Sequence, residues 1–134
     1  MIEINNLTAF RVRKDFLRKI AQRILNKERK RKTEISIALV GPERIKKLNK
    51  KYRKKDRPTD VLSFTYNDKS GEIVICPHLV KKNAKRFNST FKRELARTLI
   101  HGILHLSGYN HEDSKRESKK MEKKENYYFN LNFK

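Results

Sequence analysis

Three of the four histidines in this chain lie close together, at positions 101, 105 and 111. Residues four apart lie on one face of an α-helix, about one turn from each other, so His101 and His105 can reach one ion. Gly108 can end that helix in a left-handed turn, from which the chain can return with His111. The spacing H-x3-H-x5-H therefore predicts a helix and a reversing turn that bring three nitrogen ligands to one metal ion.

Three histidine ligands leave the fourth position of a tetrahedral zinc ion open, which is typical of catalytic rather than structural zinc sites. The spacing is shared with the metzincin proteases, whose motif is H-E-x-x-H-x-x-G-x-x-H. Position 102, where those proteases carry a glutamate as general base, is glycine here. Gly102 leaves room above the metal for a bulky substrate or allows close helix packing, and the sequence leaves both open. We expect no direct role for the fourth histidine, His78.

The charge of the chain points to a polyanionic partner. Lysine and arginine number 35 against 15 acidic residues, and the formal net charge is +20. RNA, DNA or an anionic membrane would suit such a protein. The alternative is a compositional bias toward lysine whose charge is merely solvated.

The size and cysteine content of the chain indicate its class. With 134 residues it suits a single domain, 1–134, with one modest core. The lone cysteine, Cys76, excludes an intramolecular disulfide, suits a reducing compartment and is expected in a buried strand. No apolar run of about 20 residues is present, and residues 1–7 do not resemble a signal peptide. We therefore expect a cytoplasmic location and no membrane partner.

Hydrophobic periodicity predicts four strands and about five helices in the order β-α-β-α-β-β-α-α-α. The predicted strands are 2–7, 34–40, 61–66 and 72–76, with a hairpin turn at 67–71. The first two predicted helices are 15–25 and one that begins at 41–42 and ends by 57. The last three are 77–87, 90–107 with a cap at residues 88–89, and one that is capped by Asp113 and ends near 129. The second helix is expected to bury Ile45, Leu48 and Tyr52. We expect an α+β fold, a mixed four-stranded sheet packed by helices, with the metal site on the helix over 90–107 and the following turn.

Four segments of the chain together resemble one known family over most of the sequence. They are LNKKYR at 48–53, RPTDVLSF at 57–64, GEIVIC at 71–76 and HGILHLSGYNH at 101–111. These segments resemble the YbeY family, the bacterial endoribonucleases of rRNA maturation. The resemblance implies a zinc-dependent enzyme that cuts single-stranded RNA in 16S rRNA 3′-end processing and in quality control of the small ribosomal subunit. Precursor 16S rRNA and the small subunit are therefore the expected partners.

The resemblance also implies roles for individual residues. His101, His105 and His111 match the family's three metal ligands, and Arg53 matches its functional arginine. One departure is Asn110, which stands where the family usually has aspartate just before the third histidine. That position is not a ligand in the family, so we expect zinc binding to persist with altered hydrogen bonds around the ligands.

The chemistry of phosphodiester cleavage fits these residues. Zinc with three histidine ligands can lower the pKa of bound water to about 7 and supply hydroxide without a glutamate base. A guanidinium binds phosphate through two parallel hydrogen bonds, which suits Arg53 as a phosphate clamp. The basic run that includes Arg53, residues 46–55, is the expected RNA track.

Other polar residues near these motifs have less certain roles. Asp60, near Ser63 at the start of the third strand, would accept a histidine N–H, orient Arg53 or cap the turn after Pro58. Glu94 and Thr98 lie on the same helical face as His101. We expect this part of the face to be exposed to solvent, and the alternative is that the two side chains support the metal ligands. Tyr109 is expected to pack under the turn rather than stack on a base.

Two alternative functions remain open. The first is a metalloprotease or another metal-dependent hydrolase, which Gly102 and the positive charge disfavour. The second is a basic rRNA-binding assembly factor that holds zinc for structure, which the open fourth zinc position disfavours.

Overall fold

The computed structural model describes residues 1–109 and 114–133, and within these ranges the chain forms four strands and five helices. Strands β1 to β4 comprise Ile2–Asn6, Glu34–Leu39, Val61–Asn67 and Ser70–Ile75. Helices α1 to α5 comprise Lys14–Lys27, Pro42–Arg53, Pro77–Arg86, Phe91–Leu106 and Lys115–Asn132. The predicted order of elements is confirmed, and the main differences lie at the ends of elements.

The four strands form one mixed sheet in the order β1-β2-β4-β3. β2 is parallel to both of its neighbours, β1 and β4, because a helix-containing crossover separates each pair along the chain. β3 and β4 are antiparallel and form a hairpin, as predicted. β3 therefore lies at one edge of the sheet, with one side of its backbone turned away from β4.

Alternation along the strands divides the core between the two faces of the sheet. Ile73 and Ile75 of β4 pack in the larger cluster, with α1, α4 and α5, whereas Val74 packs in the smaller one. Ile45 of α2 lies in that smaller cluster with Leu62 of β3. The sheet is thus covered on both faces, and α2 and α4 lie on opposite sides of it.

Helix α4 is the most deeply buried helix, which explains how it can position functional side chains rigidly. Its apolar side chains belong to the larger cluster: Leu95, Ala96, Leu99, Ile100, Ile103 and Leu104. The helix contacts α1, α3 and α5 as well as β3 and β4. His101 and His105 are only half-buried, so they lie where this otherwise buried helix reaches solvent.

Two helix caps differ from the predictions. Thr90, rather than residues 88–89, is the N-cap of α4, and its hydroxyl accepts a hydrogen bond from the N–H of Arg93. Asn88 instead adopts a left-handed conformation with φ 52° and reverses the chain before the cap. Ser114, rather than Asp113, is the N-cap of α5 and accepts from the N–H of Glu117. Asp113 itself lies outside the described residues.

Two predictions of burial were wrong. Tyr52, expected on the buried face of α2 with Ile45, is 55% exposed, because α2 covers only the small cluster on its side of the sheet. Glu94 and Thr98, expected on an exposed face of α4, are 8% and 4% exposed. Among residues 1–109 and 114–133, no helix is both long enough and apolar enough to cross a membrane.

Candidate functional site

The two histidines of α4 converge as their spacing predicts. The Nε2 atoms of His101 and His105 are 3.0 Å apart. The ring centroids are 4.5 Å apart and the ring planes meet at 78°. One helical turn therefore places two imidazole nitrogens at a single point on the surface of α4.

The other nitrogen of each ring is held by a different element. His101 Nδ1 lies 2.8 Å from the Glu125 carboxylate of α5, and His105 Nδ1 lies 3.0 Å from the backbone carbonyl of Tyr109. A carbonyl can only accept, so His105 donates from Nδ1, and His101 does the same toward an ionised Glu125. If both rings are neutral, each Nε2 atom carries a lone pair, and the two lone pairs point toward each other.

This arrangement suits a shared cation. Two lone pairs at 3.0 Å repel unless a proton or a metal ion lies between them. Two zinc–nitrogen bonds of about 2.0–2.1 Å at a tetrahedral angle would separate the nitrogens by about 3.3 Å, close to the observed distance. Metal-bound histidines usually donate their second N–H to a carboxylate or a backbone carbonyl, and Glu125 and Tyr109 supply one of each. The two described histidines are therefore compatible with two of the ligands of a zinc ion.

The third predicted ligand, His111, lies outside the described residues. Within residues 1–109 and 114–133, no group of three histidine, cysteine, aspartate or glutamate side chains is arranged to hold a metal. The set His101, His105 and His111 therefore stays a prediction, for which the structure places two members together.

A second layer of contacts fixes the turn that supports His105. The hydroxyl of Tyr109 donates to Glu28 at 2.8 Å, the hydroxyl of Tyr128 donates to the other oxygen of Glu28, and Lys124 Nζ lies 3.3 Å from it. Burial alone would raise the pKa of Glu28, but hydrogen bonds from Tyr128, Tyr109 and Lys124 outweigh it and lower that pKa. Burial and the bond to Glu28 raise the pKa of Tyr109 to about 12. Tyr109 therefore packs under the turn, as expected.

Gly102 faces the sheet rather than the space above the histidines. A Cβ atom there would lie 3.1 Å from Ile73 Cγ2 and 3.3 Å from Ser63 Oγ. Ser63 Oγ also donates to the Gly102 carbonyl at 3.2 Å, which ties β3 to α4. Of the two explanations for this glycine, the structure supports close packing and not room for substrate.

A surface cleft of about 480 Å³ connects the histidine pair with the predicted arginine. Its lining includes His101, His105, Arg53, Ser63 and Tyr109. Arg53 ends α2 and donates from its guanidinium to the Ser63 carbonyl at 2.8 Å, on the edge strand β3. The structure thus brings Arg53 and the histidines, which are 48 or more positions apart in sequence, to one cleft.

A smaller cleft of about 310 Å³ lies on the other side of His101. Asp60 and Glu94 line it, and Thr59 Oγ1 donates to the Asp60 carboxylate at 3.3 Å. The acceptor of the histidine N–H is Glu125, not Asp60. Burial raises the pKa of Glu94, an effect that the Arg97 guanidinium opposes.

The remaining candidates behave as structural residues. Thr98 Oγ1 donates to the backbone carbonyl of Glu94 at 2.9 Å, which satisfies the buried hydroxyl. Cys76 is fully buried just after β4. His78 is exposed and packs edge-on against Phe10, 4.7 Å between ring centroids, away from the other histidines.

The sequence reasoning missed Glu125 and Glu28. Glu125 is four residues after Met121 and three before Tyr128, both buried, so it occupies an inward position of α5. An acidic residue on the buried stripe of a helix is a signal that could have identified it. Glu28 follows the last turn of α1, and no sequence pattern links it to tyrosines 81 and 100 positions away.

The chain is similar in sequence to proteins of one family. A family model described as Endoribonuclease YbeY matches residues 3–132. Endoribonuclease YbeY of Thermotoga maritima is 48% identical over 96 residues, 70% of this chain and 64% of that protein. Endoribonuclease YbeY of Aquifex aeolicus is 37% identical over 123 residues, 87% of this chain and 82% of that protein.

A solved structure shares the fold. The solution structure of TM1509 from Thermotoga maritima superposes with a TM-score of 0.74 at 38% sequence identity, over 99% of this chain and 89% of that one. The chain matches 64% of the length of the Thermotoga maritima relative, less than two thirds.

Proposed function

The chain belongs to the endoribonuclease YbeY family, and from this membership and the geometry of its cleft we propose that it is a metal-dependent endoribonuclease of single-stranded RNA. One observation carries the proposal. His101 and His105 direct their Nε2 atoms to one point, and Arg53 lines the same cleft. A phosphodiester bound by Arg53 in this cleft would lie beside the histidine pair.

The proposed metal is one zinc ion held by His101, His105 and His111. When bound, zinc would lower the pKa of a water molecule and polarise a phosphoryl oxygen. Glu125 and the Tyr109 carbonyl each lie within hydrogen-bond distance of one Nδ1 atom, an arrangement that favours the proton on Nδ1 and a metal on Nε2. These contacts from α5 and from the turn after α4 would orient two of the proposed ligands.

Arg53 is the proposed phosphate clamp. A guanidinium has five N–H donors, and the observed bond to the Ser63 carbonyl uses one of them. The remaining donors can form a two-point contact with a phosphate while that bond fixes the side chain at the edge of β3. The adjacent lysines of α2, Lys50 and Lys51, extend positive charge along the proposed RNA track.

The proposed biological substrate is the 3′ end of precursor 16S rRNA, with the small ribosomal subunit as partner and the cytoplasm as location. The names of the relatives and the net charge of +20 support an RNA substrate. The choice of 16S rRNA and of the small subunit rests on the resemblance of the sequence motifs.

The test is cleavage of an end-labelled single-stranded RNA by wild type, His105→Ala and His78→Ala, purified identically. His78 is the matched control, because it is a histidine of the same chain outside the cleft. We expect wild type and His78→Ala to cleave, and His105→Ala to be inactive and to bind less zinc.

Equal cleavage by all three proteins would indicate a contaminating nuclease or another site and would contradict the proposal. RNA binding without cleavage by any of them, on naked RNA and on precursor small subunits, would support the assembly-factor alternative instead.

A further inference from the structure

We propose that Tyr52, supported by Phe64, is a stacking platform for one nucleobase of the RNA strand, next to the phosphate clamp Arg53. The inference rests on the proposed function, which it deepens by assigning a base subsite. It identifies the ligand by its chemistry, an unpaired base of a single-stranded nucleic acid.

The exposure of Tyr52 is the first observation. The sequence pattern places Tyr52 on the apolar stripe of α2, yet its side chain is 55% exposed in the last turn of that helix. Ile45 on the same stripe is fully buried in the small cluster on this side of the sheet. That cluster ends before it reaches Tyr52, so Tyr52 stays exposed. A large aromatic ring is therefore presented to solvent next in sequence to Arg53, which lines the cleft.

The second observation is that this ring is held in place. Tyr52 packs edge-to-face on Phe64 of β3, with centroids 5.2 Å apart and ring planes at 67°. Phe64 is itself half-buried and packs against the small cluster. An aromatic ring fixed in this way loses little freedom when a base stacks on it.

The third observation is the position of positive charge around the ring. The Arg53 guanidinium lies 6.0 Å from the Phe64 centroid, so Arg53 and Tyr52 share Phe64 as a neighbour. Lys51 Nζ lies 5.2 Å from the Tyr52 centroid, and Lys54 follows in a left-handed C-cap. Cations that can contact phosphates therefore flank an aromatic ring that can contact a base.

This combination of charge and aromatic surface is what single-stranded nucleic acids require. Every base has a π-face, so stacking tolerates many sequences, but a base in a duplex is already stacked and unavailable. The platform would thus favour unpaired RNA over duplex RNA next to Arg53.

The test uses the full-length protein and a short single-stranded RNA with 2-aminopurine placed at successive positions. The variants are Tyr52→Phe, which keeps the ring, and Tyr52→Leu, which removes it and keeps apolar contact with Phe64. Tyr127→Leu is the matched control, because Tyr127 is 46% exposed on α5 and also has a lysine near its ring, Lys27 Nζ at 5.9 Å from the centroid. Far-UV circular dichroism confirms that each variant is folded. A metal chelator in every binding reaction prevents metal-dependent cleavage, and a denaturing gel confirms that the RNA is intact.

We expect wild type, Tyr52→Phe and Tyr127→Leu to change the fluorescence of one 2-aminopurine position, and Tyr52→Leu to lose that change and about tenfold in affinity. A folded Tyr52→Leu that binds and alters fluorescence like wild type would overturn the platform and leave the endoribonuclease proposal intact. Failure of wild type itself to bind single-stranded RNA would overturn both.

Discussion

Replacing Glu28 by glutamine should destabilise the fold strongly, although the two side chains are nearly equal in size. The carboxylate accepts the hydroxyls of Tyr109 and Tyr128 on separate oxygens and pairs with Lys124, and its side chain is only 11% exposed. Glutamine keeps one acceptor oxygen, places an amide group against the other hydroxyl and removes the charge from all three contacts. A hydrogen bond to a charged group contributes about 1.5–3 kcal/mol, so we expect a loss of roughly 2–3 kcal/mol in the free energy of unfolding.

The assay is urea unfolding followed by circular dichroism at 222 nm and pH 7. Glu122→Gln is the matched control, because Glu122 is exposed on α5 and its substitution changes the net charge equally. The control is needed since loss of any carboxylate increases repulsion in a chain of charge +20. A double-mutant cycle with Tyr128→Phe should give a coupling energy of about 1 kcal/mol or more, since both substitutions remove the same contact.

The pH dependence gives a second check on the same network. The pKa of Glu28 is lowered from its ordinary value of 4.5, so its contribution to stability is present above that value and is lost as pH falls through the folded-state pKa. The difference between wild type and Glu28→Gln should therefore be full at pH 7 and shrink below pH 4.5. A Glu28→Gln variant within about 0.5 kcal/mol of Glu122→Gln at pH 7, or a difference that persists unchanged in acid, would refute this reasoning.

Three further substitutions test the site and its support. Gly102→Ala would place a Cβ 3.1 Å from Ile73 Cγ2 and 3.3 Å from Ser63 Oγ, so we expect a net loss of about 1 kcal/mol, despite the higher helix propensity of alanine, and weaker zinc binding by calorimetry; unchanged stability and zinc binding would argue against close packing as the reason for this glycine. Arg53→Lys keeps the positive charge but loses the two parallel N–H donors of the guanidinium, so cleavage should fall about tenfold while the salt dependence of RNA binding is retained. Unchanged cleavage would argue against the phosphate clamp. Thr90→Ala removes the N-cap hydrogen bond of α4 and should cost about 1 kcal/mol in urea unfolding, and a neutral result would show that the cap contributes nothing.

Local patterns were sufficient for the elements and for the pair of histidines. The apolar run over residues 72–76 and the apolar pattern over 90–107 predicted β4 and α4, because the length and period of apolar residues indicate a strand or a helix. The helical period places His101 and His105 together, and the structure shows their nitrogens 3.0 Å apart. Helix caps were less predictable, since several polar residues before α4 compete for one position and the left-handed Asn88 selects Thr90.

These local patterns do not predict contacts between residues far apart in the sequence. The burial of Glu94 and the exposure of Tyr52 depend on which elements pack over each helix, and periodicity does not show how far a neighbouring cluster extends. The order β1-β2-β4-β3 places β3 at the sheet edge, which is why Arg53 can reach the Ser63 carbonyl.

By itself the sequence determined the mixed α+β class, the helical pair of imidazoles, the positive charge and the family, because these depend on spacing and composition within short segments. Only the tertiary structure decided what surrounds the imidazoles. Glu125 reaches His101 from α5, 24 positions away, and Glu28 reaches Tyr109 from the end of α1, 81 positions away. Such partners are selected by the packing of helices on a sheet, and packing brings together residues whose separation along the chain carries no periodic signal.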